Sequence, residues 1–155
     1  MYTNIDTNHG IQILTDFIFE HGISVDLTFP SKTVIELLTI VMKNNIFSFG
    51  DLFFLQKCGT AMGTIVAVKY ATIYCASHEQ NTILPKYKDQ FLYFNWYIDD
   101  IFLIWIPGPL DWTELNTDPK FGKMTWEINN PSKMVNFLDL TIWIDSSGKI
   151  QTKNI

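Results

Sequence analysis

Tyr97-Ile98-Asp99-Asp100 sets two adjacent carboxylates inside a stretch, Phe91 to Ile106, that is otherwise almost wholly apolar. Adjacent acids repel each other, and burying either without a partner is costly. A positive counter-charge is therefore expected, and a divalent metal held by oxygen ligands is the simplest. The alternative is that Asp99 and Asp100 are ordinary turn residues, since Asp favours turns without any ligand. The flanking residues are β-branched or aromatic, which predicts strand, tight turn, strand, with the acids at the accessible turn.

A second informative stretch runs Gln56-Lys57-Cys58-Gly59-Thr60-Ala61-Met62-Gly63-Thr64. Its two glycines permit close backbone approach, either as a phosphate-cradling turn or as a tight strand-to-helix connection. Lys57 precedes both glycines, so this is no nucleotide-binding P-loop. His9, His21 and His78 stand apart in sequence and suggest no metal set with Cys58 or Cys75, which leaves surface or helix-end roles. The two cysteines form no Cys-x-x-Cys pair and no disulfide framework, so a reducing compartment is the default.

These residues need a frame, and 155 residues with 47% hydrophobic and 15% aromatic content predict one domain with a substantial core. A net charge of −5 excludes a grip on nucleic acid by charge alone, which needs clustered Lys and Arg. No signal peptide is expected, and no apolar run approaches the roughly 20 residues of a membrane span, so no membrane partner is expected.

Met1 to Ile5 resembles the tail of a strand. Asn8 to Glu20 has Ile11, Leu14, Phe17 and Ile18 at helical spacing, with Asp6 or Asn8 to cap the start and Gly22 to end it. After Pro30, Ser31 is the expected N-cap of a helix whose stripe is Val34, Leu37, Leu38, Val41 and Met42. Phe47 to Gln56 predicts a short hairpin around Gly50-Asp51. The helix from about Thr64 to Glu79 is apolar on nearly all faces, which predicts a central, buried element. Beyond Pro107-Gly108-Pro109, Leu110 to Asn116 is a short helix candidate, and Lys123 to Ile128 and Val135 to Ile144 read as strands. Asp145-Ser146-Ser147-Gly148 predicts a hairpin turn into a last strand from Lys149.

Gln56 through Ala71 (QKCGTAMGTIVAVKYA), Glu79, the YIDDIFLIW of Tyr97 to Trp105, the TWE of Thr125 to Glu127 and the NFLDLTI of Asn136 to Ile142 follow in that order. Together they resemble the reverse transcriptase palm of a Penelope-like retroelement, a family related to telomerase reverse transcriptases. The resemblance covers nearly the whole chain. Met62 fits the Penelope-like pattern where many other reverse transcriptases have Gln, whereas Val68 stands in place of an expected Pro. It implies an α+β fold, a reverse-transcriptase palm with an antiparallel sheet carrying the Asp-Asp hairpin at its centre and the helices packed on one face. It also implies a partial domain, truncated at both ends, without the fingers, thumb and endonuclease of a longer polyprotein. A nuclear site of action goes with the family.

The activity implied is RNA-directed DNA polymerisation by two-metal nucleotidyl transfer, with Mg2+ (or Mn2+) as cofactor and an RNA template, a DNA primer and deoxynucleoside triphosphates as partners. By resemblance Asp99 is the indispensable metal ligand and Asp100 an auxiliary one. By the same resemblance Tyr2 would be the gate that stacks under the sugar, against the plainer role of a core aromatic. Gln56, Gly59, Met62 and Gly63 would lie along the nucleotide and template base, with a strand-end surface residue as the alternative for Gln56. Phe137, Leu138 and Asp139 support the primer end, although Asp139 is also a candidate to satisfy local backbone amides. Lys123 is a candidate proton donor to pyrophosphate, against the plainer role of a solvated strand-start lysine. The first catalytic Asp of the family would lie upstream of Met1, so this chain alone is expected not to extend a primer. A decayed or domesticated palm-like domain, binding nucleic acid or a partner without chemistry, is the alternative.

Overall fold

A computed structural model describes residues 2–21, 30–117, 124 and 127–155 of the chain. The described residues group into two compact units, one taking the chain up to Lys88 together with Thr117 and Met124, and the other Asp89–Asn116 together with residues 127–155.

In the first unit Asp6 caps helix α1 (Thr7–Glu20), its carboxylate accepting the amide of His9 at 2.9 Å. A capping carboxylate satisfies one of the orphan amides of the first turn. The expected stripe turns inward, with Leu14 and Ile18 buried and Ile11 and Phe17 half-buried. Gly22, expected to end the helix, lies outside the described residues. Helix α2 (Ser31–Lys43) has Pro30, not Ser31, at its cap and no side-chain cap bond. Proline supplies a preset φ, so Ser31 becomes the first helical residue. Of the α2 stripe Met42 is buried, whereas Leu37 and Val41 are exposed.

Strands β1 (Ile46–Phe49) and β2 (Leu52–Leu55) form the expected hairpin around Gly50-Asp51, with Gly50 at φ 60. The next helix starts later than its apolar composition suggests. Thr64 folds back on the Ala61 carbonyl through both its amide and its hydroxyl, and helix α3 begins only at Ala67 (Ala67–His78). Its buried residues, Ala67, Tyr70, Ala71, Tyr74, Cys75 and His78, make a single stripe with helical spacing, while Val68 is exposed. The expectation of a central, buried element is thereby narrowed to one face: α3 packs against α1, Ile73, Ala76 and Ser77 are half-buried, and Val68, Lys69 and Thr72 are exposed. The helix runs on through a π-helical stretch, Glu79–Ile83, and α4 (Leu84–Tyr87). The opening residues form a 3-10 turn, Tyr2–Asn4, rather than a strand tail, because the carbonyls of Tyr2 and Ile5 accept the amides of Thr60 and Gly59.

The second unit is built from hairpins. Strands β3 (Phe91–Tyr97) and β4 (Asp100–Trp105) pair antiparallel, and β5 (Met134–Phe137), β6 (Leu140–Ile144) and β7 (Ile150–Asn154) form a meander. Val135 to Ile144 is thus two strands joined at Leu138-Asp139, not one. Leu110 to Asn116 corresponds to a 3-10 helix, Trp112–Thr117. No strand passes through Met124, Glu127 or Ile128, and Lys123, Thr125 and Trp126 lie outside the described residues.

The class is mixed α+β, but the single antiparallel sheet is corrected. Among the described residues there are three separate sheets, β1-β2, β3-β4 and β5-β6-β7, each closed between neighbours in the chain. A hairpin or meander satisfies its ladder locally, and no described strand bridges one set to another. The fully buried apolar side chains of the described residues lie in the first unit, among them Ile5, Met42, Tyr70 and Tyr74.

Candidate functional site

The register of β3 and β4 pairs Tyr97 with Asp100 and leaves Ile98-Asp99 as a two-residue turn. Only the first of these has positive φ (Ile98, 57°), the pattern of a type II′ hairpin, where glycine is favoured. A β-branched residue held there costs about 1–3 kcal/mol of backbone strain. Asp99 therefore sits in the turn and Asp100 opens the second strand, both exposed, as the sequence predicts.

Their side chains differ from those of an ordinary turn aspartate. Asp145, in the β6-β7 turn, accepts through Oδ1 from the Ser147 amide (2.8 Å), the Ser147 hydroxyl (2.7 Å) and the Lys149 amide (3.0 Å), and through Oδ2 from Gln151 Nε2 (2.8 Å). Those hydrogen bonds, led by the Ser147 hydroxyl and Gln151, hold its carboxyl down to about 2. Asp99 and Asp100 accept no side-chain hydrogen bond and form no ion pair among the described residues. The local bonding that makes Asp a turn residue is absent where the two acids stand together.

A second hairpin repeats the first. Phe137 pairs with Leu140, leaving Leu138-Asp139 as the turn, with Leu138 at φ 52. The carboxylate of Asp139 accepts no hydrogen bond among the described residues, while its backbone carbonyl takes the Ile155 amide at 3.0 Å. The expectation that the Asp139 side chain satisfies local amides is corrected, because Asp145 plays that part.

The Phe102 and Phe137 rings, 5.4 Å apart, bring the two hairpins together. Between them lies a groove of about 370 Å3 lined by Tyr93, Tyr97, Phe102, Phe137, Leu138 and Ile142, with Asn95 and Thr152 as polar members. Gln90, which sequence patterns do not single out, holds the base of β3. It is buried, donates to the Leu110 carbonyl (2.9 Å) and accepts the Leu110 amide (3.1 Å), while its own carbonyl takes the Ile106 amide (2.8 Å). Gly108 packs on its side chain. A lone Gln ahead of an apolar strand carries no signal of that clamp.

The remaining candidates belong to the first unit, where Tyr2, Gln56 and Gly59 are neighbours. Gly59 has φ 74, and a Cβ there would stand 2.5 Å from the Tyr2 carbonyl and the Thr3 Cα, so only glycine fits. Its amide donates to the Ile5 carbonyl and that of Thr60 to the Tyr2 carbonyl, each at 2.9 Å. Those two amides are engaged within the chain, as a strand-to-helix connection requires. Gln56 Nε2 donates to the Cys58 carbonyl at 2.8 Å. Met62 and Gly63 are exposed, with open space around Gly63.

No three His, Cys, Asp or Glu side chains among the described residues converge to hold a metal. Two adjacent, unengaged carboxylates nevertheless fit the way Mg2+ binds, through one or two carboxylates with water and substrate phosphates completing its shell. No helix among the described residues is long and apolar enough to cross a membrane. Compared with family models, curated proteins and solved structures, the chain finds no significant match.

Proposed function

We propose that this chain belongs to the palm of an RNA-directed DNA polymerase of the Penelope-like kind, with Asp99 and Asp100 as its metal-binding carboxylates. The observation that carries this is the contrast between aspartates: Asp145 is saturated by local donors, whereas Asp99 and Asp100 are solvent-open and unengaged. Bound Mg2+ would supply charge stabilisation for nucleotidyl transfer and lower the pKa of the attacking hydroxyl. Asp99 and Asp100 would hold that ion. Tyr2 would lie under the sugar of the incoming deoxynucleotide, with Gln56, Gly59, Met62 and Gly63 along its base and template partner. Phe137, Leu138 and Asp139 would support the primer end, beside the same aromatic groove that Tyr97 lines.

The test joins Mn2+ binding, followed by electron paramagnetic resonance, to primer extension on an RNA template. Extension is assayed with this chain and with the chain carrying whatever precedes Met1 in its transcript. Asp99→Asn is expected to weaken Mn2+ binding and to abolish any extension without altering the circular dichroism spectrum. Equal Mn2+ affinity in the wild type and in the Asp99→Asn/Asp100→Asn double variant overturns the assignment. Metal binding without extension in either form favours the decayed palm-like domain.

A further inference from the structure

Among the described residues Ile98 and Leu138 are the two non-glycine positions with positive φ, at 57° and 52°. They occupy equivalent places. Each is the first of two linking residues in a tight hairpin, closed by Tyr97 with Asp100 in one case and Phe137 with Leu140 in the other. Each is followed by an aspartate whose carboxylate has no partner among the described residues. The two hairpins share the aromatic groove through Phe102 and Phe137.

Local energetics disfavour both residues where they stand. Glycine or asparagine would adopt the left-handed backbone with less strain. Burial gives Ile98 little in return, since it is 56% exposed, and covers only about half of Leu138, which is 46% exposed. A strained, exposed, branched apolar residue repeated at two matched turns points to a role beyond folding, because strain of this kind gathers where geometry must be held.

We infer that Ile98 and Leu138 are positioning residues, which restrict their turns to one conformer and so fix the carboxylates of Asp99 and Asp139. The strand register forces positive φ on the first turn residue, and a side chain there, stiffest in β-branched Ile98, then leaves that residue fewer states than glycine would have. A glycine in the same place reaches many. The turn with glycine would be less strained and less uniform, so that Asp99 spends only part of its time in the ion-binding orientation. Apparent affinity falls by the fraction of time lost. The link to metal rests on the polymerase proposal above, whereas the order of the turns does not.

The experiment uses the whole chain with Ile98→Gly, Leu138→Gly and Ile98→Asn, the last keeping a side chain that tolerates the left-handed region. Backbone order parameters at the Asp99 and Asp139 amides are measured by NMR relaxation, alongside Tm and Mn2+ affinity. Expected results are an unchanged or raised Tm, lower order at the Asp following each new glycine, and Mn2+ affinity weakened about fivefold in Ile98→Gly but not in Leu138→Gly, with Ile98→Asn between Ile98→Gly and the wild type. Leu138→Gly tests the same positioning at Asp139. Unchanged order at both aspartates overturns the inference. So does lower order at Asp99 with unaltered Mn2+ affinity, when the wild type binds Mn2+ through Asp99. If Asp99→Asn leaves Mn2+ binding untouched, the polymerase proposal falls, and lower order in the glycine variants still supports positioning by the turns.

Discussion

Gly10 on α1 lies directly beneath the phenol of Tyr70 on α3, so close that a methyl group at Gly10 would overlap the Tyr70 ring and its oxygen. This contact lets two helices approach where Tyr70 is buried.

Gly10→Ala would gain about 1 kcal/mol of helix propensity in an open helix, yet here it must displace a packed ring, and overpacking costs about 1–3 kcal/mol. A net loss of up to about 2 kcal/mol is expected in urea unfolding. The Tyr70 hydroxyl is buried without a hydrogen-bond partner among the described residues. Tyr70→Phe alone should therefore be neutral or stabilising, and it should restore part of the stability lost in Gly10→Ala. Strict additivity of the two changes would show that the ring and the glycine do not press on each other.

Gln90 bonds both the amide and the carbonyl of Leu110. Gln90→Ala strands both groups and should cost about 1–3 kcal/mol. Gln90→Glu keeps an acceptor for the Leu110 amide but, once ionised, cannot donate to its carbonyl. Its loss of stability should be larger at pH 7 than at pH 4, measured by thermal melts at both values. Equal losses would mean that the donated bond contributes nothing.

Phe102 and Phe137 couple the acid hairpin to the meander across 5.4 Å. A double-mutant cycle with Phe102→Leu and Phe137→Leu should give an interaction of about 0.5–1.5 kcal/mol. A coupling near zero would make the two hairpins independent of this contact.

Asp145 has a folded-state pKa lowered from 3.8 to about 2. Its stabilising contribution is present above the unfolded pKa and is lost as pH falls through about 2. The group is exposed, so salt weakens the effect. Comparing Tm of the wild type and Asp145→Ala, the wild-type advantage should hold at pH 5 and shrink steadily from about pH 4 to pH 2. An advantage that stays constant over that range would show that the hydrogen bonds to Ser147 and Gln151 do not favour the ionised form.

Much of the acid hairpin was legible in the chain itself. Aromatic and β-branched residues flank a two-residue gap, and strand pairing over so short a link is local, so Asp99 falls in the turn and Asp100 beside it. Helix α1 and the Asp6 cap were legible for the same reason. The division of Val135 to Ile144 was not, because Leu138 is a poor turn residue by type and only the pairing of Phe137 with Leu140 forces it into one.

Sequence alone determined the α+β class, the acids at a turn and the helical stripe of α1, since these rest on contacts among near neighbours. Tertiary structure decided which face of α3 is buried, why Gly59 must be glycine and why Gly10 favours it, and that the described strands form three sheets instead of one. It also decided the left-handed backbone of Ile98 and Leu138. In each case groups far apart in the chain, or a strand register, override what the residue would adopt on its own, and no local pattern records that competition.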